Sequence, residues 1–234
     1  MRAAVCHRFG EPFAIEEVQL AGPGPEEVRV RVVACAICHS DVTAADGGWG
    51  GDLPMVLGHE AAGVVEAVGS EVPGLKKGDR VVVTLVHHCG ECPCCTSGFY
   101  GSCETLYPLD KASPLSFPDG RPIAQGLRTA AFAEETVLHR SQLVKIGDDI
   151  PLEAAALLAC GVITGLGAVV NSAKVRDGQD VVVVGTGGVG LNSVQGAGLS
   201  NAGKVIAVDL SRFIHEVGFV SGFRAGSPGV AGCG

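Results

Sequence analysis

Residues 180–197 read D-V-V-V-V-G-T-G-G-V-G-L-N-S-V-Q-G-A. Val181–Val184 is an unbroken β-branched run, the pattern of a strand covered on both faces in a parallel sheet. Gly185, Gly187 and Gly190 follow with G-x-G-x-x-G spacing, and Gly188 and Val189 fill the variable positions. The first glycine permits a tight turn, the second lets backbone approach a pyrophosphate, and the third lets helix and strand pack closely. The helix that follows points its free amide groups at the same phosphates. Alone, such a motif is weak evidence. Here it joins a strand to a helix, and a second strand, Lys204–Val208, ends in Asp209, 19 residues beyond Gly190. A carboxylate there accepts hydrogen bonds from ribose hydroxyls and repels a 2′-phosphate, which favours NAD over NADP. The plainer alternative is a glycine-rich turn with a helix-capping Asp.

Upstream the style changes. From residue 1 to about 148, short β-branched strands are punctuated by glycine and proline. Glu27–Ala34 alternates as E-V-R-V-R-V-V-A, Gly63–Val68 and Arg80–Leu85 follow, and G-P-G-P at Gly22–Pro25 and K-K-G-D-R at Lys76–Arg80 read as turns. The pattern predicts an all-β barrel or sandwich. Pro151 then opens P-L-E-A-A-A-L-L-A as a helix, and a second helical stretch covers Thr164–Ala173.

Between the strands lies C-G-E-C-P-C-C-T-S-G-F-Y-G-S-C, with Cys89, Cys92, Cys95 and Cys103 in register and Cys94 out of it. Two-residue gaps turn successive thiolates inward, and the seven-residue return closes a tetrahedron. Four thiolates with no open position describe a structural zinc site. A bacterial iron–sulfur run has its last cysteine after three residues and then proline, whereas Glu104 follows Cys103 here, so zinc is the better reading.

The chain has 234 residues and is 47% hydrophobic, enough for a sizeable core and two domains. Seventeen basic against 25 acidic residues give a net charge of −8, which argues against a nucleic-acid surface. Ten cysteines clustered in a chain of this length point to metal and a reducing compartment rather than a disulfide scaffold. The start, M-R-A-A-V-C-H-R-F-G, has no signal-peptide core, and no uninterrupted apolar run of about 18 residues exists to span a membrane. The expectation is a soluble, cytoplasmic protein without a membrane partner.

Three further stretches stand out: C-H-S-D at Cys38–Asp41, G-H-E-A-A-G around His59, and L-L-A-C-G around Cys160. Spacings of 21 and 101 residues carry no geometric signal, and a lone Cys or His is more often packing. Taken with the four-cysteine lobe and G-T-G-G-V-G followed by Asp209, however, these stretches resemble the zinc-dependent alcohol dehydrogenases of the medium-chain dehydrogenase/reductase family. The similarity runs over residues 1 to about 212, with every signature in the family's order. The middle segment, Pro118–Pro122 and A-F-A-E-E-T-V at Ala131–Val137, is similar to the glutathione-dependent formaldehyde dehydrogenase branch.

The resemblance implies a fold and a chemistry. The fold is α/β plus β: a GroES-like β-barrel catalytic domain over 1–148, with a structural zinc lobe at about 87–105, then a partial Rossmann NAD-binding domain over 149–212. Cys38, His59 and Cys160 would hold a catalytic zinc, making two zinc ions per chain, and Glu60 would stand beside it and exchange with its solvent ligand. Asp41 would orient His59. Ser40 would begin a proton relay; Thr43 stands where some members carry the histidine that ends it, so water or a ribose hydroxyl would finish it here. His39 would contact the cofactor's diphosphate and Thr164 would lie near the nicotinamide. His87 and His88 read as surface residues, and Cys6, Cys35 and Cys233 as packing. The implied reaction is reversible hydride transfer between a small alcohol and NAD, giving aldehyde or ketone, in a full-length protein expected to be a homo-oligomer.

Residues 213–234, F-I-H-E-V-G-F-V-S-G-F-R-A-G-S-P-G-V-A-G-C-G, depart from the family. Six glycines and a proline oppose a stable helix. The expectation is truncation or a change of reading frame near Phe213, with two of six nucleotide-domain strands supplied. The alternative function is therefore a zinc-binding fragment without catalysis.

Overall fold

Alternation in E-V-R-V-R-V-V-A sends Val28 and Val30 inward, both fully buried, and Arg29 and Arg31 outward to carboxylates on neighbouring strands. Arg29 pairs with Glu135 and Arg31 with Glu66, so both faces of this strand are specified by its sequence. The computed structural model describes residues 1–210. The expectations for 213–234, and for Cys233 within it, lie outside these residues.

The chain divides into two units, Met1–Cys160 and a second beginning at Gly161. The strands of the first are β1 (Arg2–Cys6), β2 (Ala14–Glu17), β3 (Gln19–Leu20), β4 (Glu27–Ala36), β5 (Met55–Val56), β6 (Glu60–Val68), β7 (Arg80–Val83), β8 (Leu115–Ser116), β9 (Pro122–Gln125), β10 (Glu135–His139) and β11 (Leu143–Lys145). They form a six-stranded sheet in the order β2-β1-β5-β9-β8-β3 and a five-stranded sheet in the order β10-β4-β6-β7-β11. Val28, Val30, Val65, Val81, Val83 and Leu138 make one core, and Val5, Val56, Leu115 and Ile123 another.

Three short helices interrupt the strands: α1 (His39–Ala45), α2 (Pro93–Thr96) and α3 (Pro108–Lys111). A fourth, α4 (Leu152–Leu157), begins just after Pro151, as that proline predicts. Leu152, Ala155, Ala156 and Ala159 press onto Ala62 and Val82, covering the remaining face of the five-stranded sheet. Burying Leu152 there contributes about 2 kcal/mol. Alanine on the helix and on β6 allows this close approach.

In the second unit, β12 (Val181–Val184) pairs in parallel with β13 (Val205–Val208). The helices are α5 (Ile163–Gly167) and α6 (Gly188–Leu199). Two π-helical turns, Leu158–Val162 and Ala168–Ala173, join the stretches expected as separate helices into one run, Leu152–Ala173. Its 22 residues are long and apolar enough, by length and composition alone, to cross a membrane, although Glu153, Thr164 and Asn171 interrupt it. The strand expected to be covered on both faces is not. Val182 and Val184 are 59% and 81% exposed, because among the described residues this pair of strands is packed on one face only.

Gly63 shows how tightly β6 crosses β4: a Cβ there would lie 2.2 Å from the Arg31 carbonyl oxygen. Gly63→Ala is expected to destabilise the protein by about 1–3 kcal/mol in denaturant unfolding. Gly22→Ala, with nothing within 4 Å, should leave the midpoint unchanged.

Candidate metal and nucleotide sites

The pairing of β4 with β6 explains why residues far apart in sequence meet. These strands are antiparallel with Ala36 opposite Glu60, so the end of one and the start of the other share one edge of the sheet. Cys38 lies two residues beyond β4, as the N-cap of α1, and His59 immediately precedes β6. α4 packs on β4 and β6, and Cys160 follows the buried Ala159. The ligand atoms of Cys38, His59, Glu60 and Cys160 consequently all lie within 4.8 Å of one another.

Asp41, on the first turn of α1, ties these parts together. Its Oδ2 accepts from the Cys38 amide at 3.0 Å and its Oδ1 from the Gly58 amide at 3.0 Å. His59 Nδ1 lies 3.1 Å from the same Oδ1. With Nδ1 donating to the carboxylate, Nε2 is the ring nitrogen left for a metal. Asp41, His59 and Glu60 are all buried. Two thiols, an imidazole and a carboxylate converging at this range are a donor set that fits zinc. Ser40 and His39 share α1 with Asp41, and His39 is exposed.

The second cluster, Cys89, Cys92, Cys95 and Cys103, also has its sulfurs within 4.8 Å of one another. Gly90 and Gly98, at φ +82° and +84°, provide the left-handed turns on either side of α2. Pro93 starts that helix, with Cys92 as its N-cap and Cys95 inside its single turn. A short 3₁₀ turn, Tyr100–Ser102, then delivers Cys103. Cys89 Sγ and Cys95 Sγ are 3.9 Å apart. Tetrahedral zinc with bonds of about 2.3 Å to sulfur requires an edge of about 3.8 Å, so the thiols fit the ion. The Thr105 side chain and the amides of Glu91 and Cys92 stabilise the Cys89 thiolate and hold its pKa down at about 6, whereas burial pushes Cys95 up to about 12. A divalent cation would reverse that burial penalty by pairing with the charge. Cys94 instead faces Glu104, with Sγ 3.7 Å from Oε1.

Other thiols are held inert. Burial raises Cys6, and raises Cys35 to about 12, so both stay protonated. His87 departs from its expectation as a surface residue. It is 4% exposed, because it packs edge-on against Tyr107 beneath α3.

In the second unit Gly185 takes φ +87°, and Gly187 caps α6, which starts at Gly188 and Val189. A Cβ on Gly190 would lie 1.8 Å from the Gly185 carbonyl oxygen, so the third glycine is required for the turn to close. Asp209 follows β13, and its Oδ2 accepts from the Thr186 amide at 2.6 Å and hydroxyl at 2.7 Å. Sequence reasoning missed Thr186. Its signal was a hydroxyl in the variable position of the glycine motif. Thr164 lies on α5, whose Gly165 lets α6 approach until Ser193 Oγ donates to the Gly165 carbonyl at 3.1 Å.

Against known proteins, residues 24–148 match the family described as the alcohol dehydrogenase GroES-like domain. Alcohol dehydrogenase 1 of Pisum sativum is 40% identical over 223 residues, covering 91% of this chain and 58% of the relative. An alcohol dehydrogenase zinc-binding domain protein from Burkholderia ambifaria superimposes with a TM-score of 0.85 at 38% identity, over 90% of this chain and 59% of the other. Benzyl alcohol dehydrogenase from Acinetobacter calcoaceticus gives 0.83 at 32% identity, over 92% and 60%. The chain thus spans under two thirds of the length of these relatives. The observed architecture is the expected one, a GroES-like β domain followed by part of a Rossmann-type unit.

Asp41→Asn is expected to weaken zinc binding at the first cluster about 10–100-fold in chelator competition while zinc on the four cysteines is retained. Cys92→Ser should do the opposite, unfolding the lobe and lowering solubility before the first cluster loses metal. An unchanged melting curve for soluble Cys92→Ser would contradict this.

Proposed function

The chain belongs to the alcohol dehydrogenase family built on a GroES-like domain, and we propose that the whole protein transfers hydride reversibly between a small alcohol and NAD. The observation that carries this reading is the convergence of half-buried Cys38 and Cys160 with buried His59 and Glu60, their ligand atoms within 4.8 Å of one another. A structural ion needs four closed ligands, and the lobe already has such a set. The donors at the first cluster are those of an open, reactive site.

Cys38, His59 and Cys160 would hold a catalytic zinc and the four lobe cysteines a structural one, two per chain. Zinc at the first position supplies Lewis acidity, which lowers the pKa of a bound hydroxyl and polarises a carbonyl. Asp41 keeps the imidazole in one tautomer and fixes the Cys38 backbone through its amide. Glu60 is the exchangeable carboxylate. Ser40 receives the substrate's proton and hands it to water or a ribose hydroxyl, Thr43 having no ring nitrogen to continue the chain.

NAD, when bound, is the hydride acceptor or donor. Asp209, held by Thr186, would read the ribose hydroxyls, and Gly185, Gly187, Gly188, Val189 and Gly190 would form the diphosphate turn, with Thr164 near the nicotinamide; by the family resemblance His39 would contact the diphosphate. The domain limits belonging to this reading are 1–148 and 149–212. A cytoplasmic location and homo-oligomeric assembly of the full-length protein complete the reading, the location being one in which clustered metal-binding cysteines stay reduced.

A second reading, a zinc-binding fragment without catalysis, is favoured by the exposed valines of β12. NADH titration separates the two. Saturable binding by the 234-residue chain, with NAD-linked alcohol oxidation lost in Cys38→Ser, supports the enzyme; zinc retained without NADH binding supports the fragment. Asp209→Ala is expected to lower the preference for NAD over NADP. Unaltered preference would remove Asp209 from ribose recognition.

A further inference from the structure

Just beyond β9 the chain runs Gly126–Ala130 as G-L-R-T-A, and Leu127, Arg128 and Ala130 take φ +51°, +58° and +52°. Residues with a Cβ enter this left-handed region at a steric cost, and such strain persists only where surrounding contacts over-determine it. Here the holding contacts come from the core. Gln142, 3% exposed, donates from Nε2 to the carbonyls of Thr84 and Arg128, both at 3.0 Å. Gln125 Nε2 donates to the Val137 carbonyl at 2.9 Å, and the Thr136 hydroxyl donates to the Thr129 carbonyl.

What this strained segment delivers is Thr129. The residue is fully buried, and its Oγ1 donates to the Gly58 carbonyl at 2.7 Å, closer than its alternative, the Leu127 carbonyl at 3.1 Å. The Ala131 amide reaches the same Gly58 oxygen at 2.9 Å, so both lone pairs of that oxygen are taken. This carbonyl belongs to the peptide unit that carries the His59 nitrogen. On its other side Gly58 gives its amide to Asp41 Oδ1 at 3.0 Å, the oxygen that also lies 3.1 Å from His59 Nδ1. Gly58 has φ +94°, and a Cβ there would lie 2.6 Å from the Phe132 amide nitrogen, so the position requires the most permissive residue. Its freedom is removed by Asp41 at the amide and by Thr129 and Ala131 at the carbonyl.

We propose that Thr129 is a positioning residue for the Cys38, His59 and Cys160 cluster: its hydroxyl locks the Gly58–His59 peptide and thereby the direction of the His59 imidazole. The inference rests on the reading of that cluster as a zinc site. It adds to the site a hydroxyl 71 residues along the chain from Gly58 and outside every sequence signature. Partners that touch a metal-bound imidazole directly are worth roughly 10–100-fold in metal affinity. Thr129 acts one peptide farther out, and the loss of one neutral hydrogen bond corresponds to about 5-fold.

Metal affinity tests this independently of turnover. Zinc is withdrawn from the zinc-loaded full chain by a series of chelators, and the release step missing from Cys38→Ser belongs to the first cluster. Thr129→Val keeps the shape and removes the donor; it should weaken that step about 5-fold and leave the four-cysteine step unchanged. Thr129→Ser restores the hydroxyl without the methyl group and should return affinity to within about 2-fold of the unaltered chain. A residue that only stitched the core would lower the unfolding midpoint without separating the two release steps. If Thr129→Val does not fold, Thr129→Ala carries the same expectation. Unaltered affinity at the first cluster in folded Thr129→Val or Thr129→Ala overturns the proposal. So does equal weakening of both steps, or a serine variant as weak as valine. Absence of the Cys38-dependent step from the unaltered chain would instead remove the metal centre itself, and this inference with it.

Discussion

The antiparallel pairing of β4 with β6, with Ala36 opposite Glu60, is the constraint on which the chemistry depends. It brings two sequence-distant ends to one edge of a sheet, and α4 adds Cys160 because alanines on helix and strand pack without intervening bulk. A register slip of one residue would turn His59 to the other face. Asp41 then converts proximity into orientation, since a single buried carboxylate receives two backbone amides and the imidazole. Such a group is costly to bury unless it is hydrogen-bonded, and here its three partners are the backbone of Cys38, the ring of His59 and the amide of Gly58 just before that ring.

The lobe obeys a more local logic. Its four sulfurs come from one short run, and glycines with positive φ, a proline-started turn and a 3₁₀ turn fold that run without help from distant strands. The two clusters therefore differ in what disrupts them. The lobe depends on its own backbone, whereas the first cluster depends on the whole five-stranded sheet.

The second unit rests on steric fit. Gly190 and Gly165 are each approached by backbone at distances no side chain tolerates, which sets how closely α6 can lie to its strand and to α5. Thr186 then uses the variable position of the turn to hold Asp209, joining the two ends of β12 and β13 through a carboxylate.

Sequence alone determined whatever depends on short-range spacing. The four-cysteine lobe, the glycine turn with Asp209, the alternation of β4 and the proline start of α4 each follow from period, turn chemistry or ligand spacing within about twenty residues. It did not determine the Cys38, His59 and Cys160 convergence, which was legible only through resemblance, because separations of 21 and 101 residues contain no geometry. Tertiary structure decided that meeting through strand register and helix packing. It also decided the burial of His87 and, among the described residues, the one-sided packing of β12, since the environment of a side chain is set by neighbours that come from elsewhere in the chain.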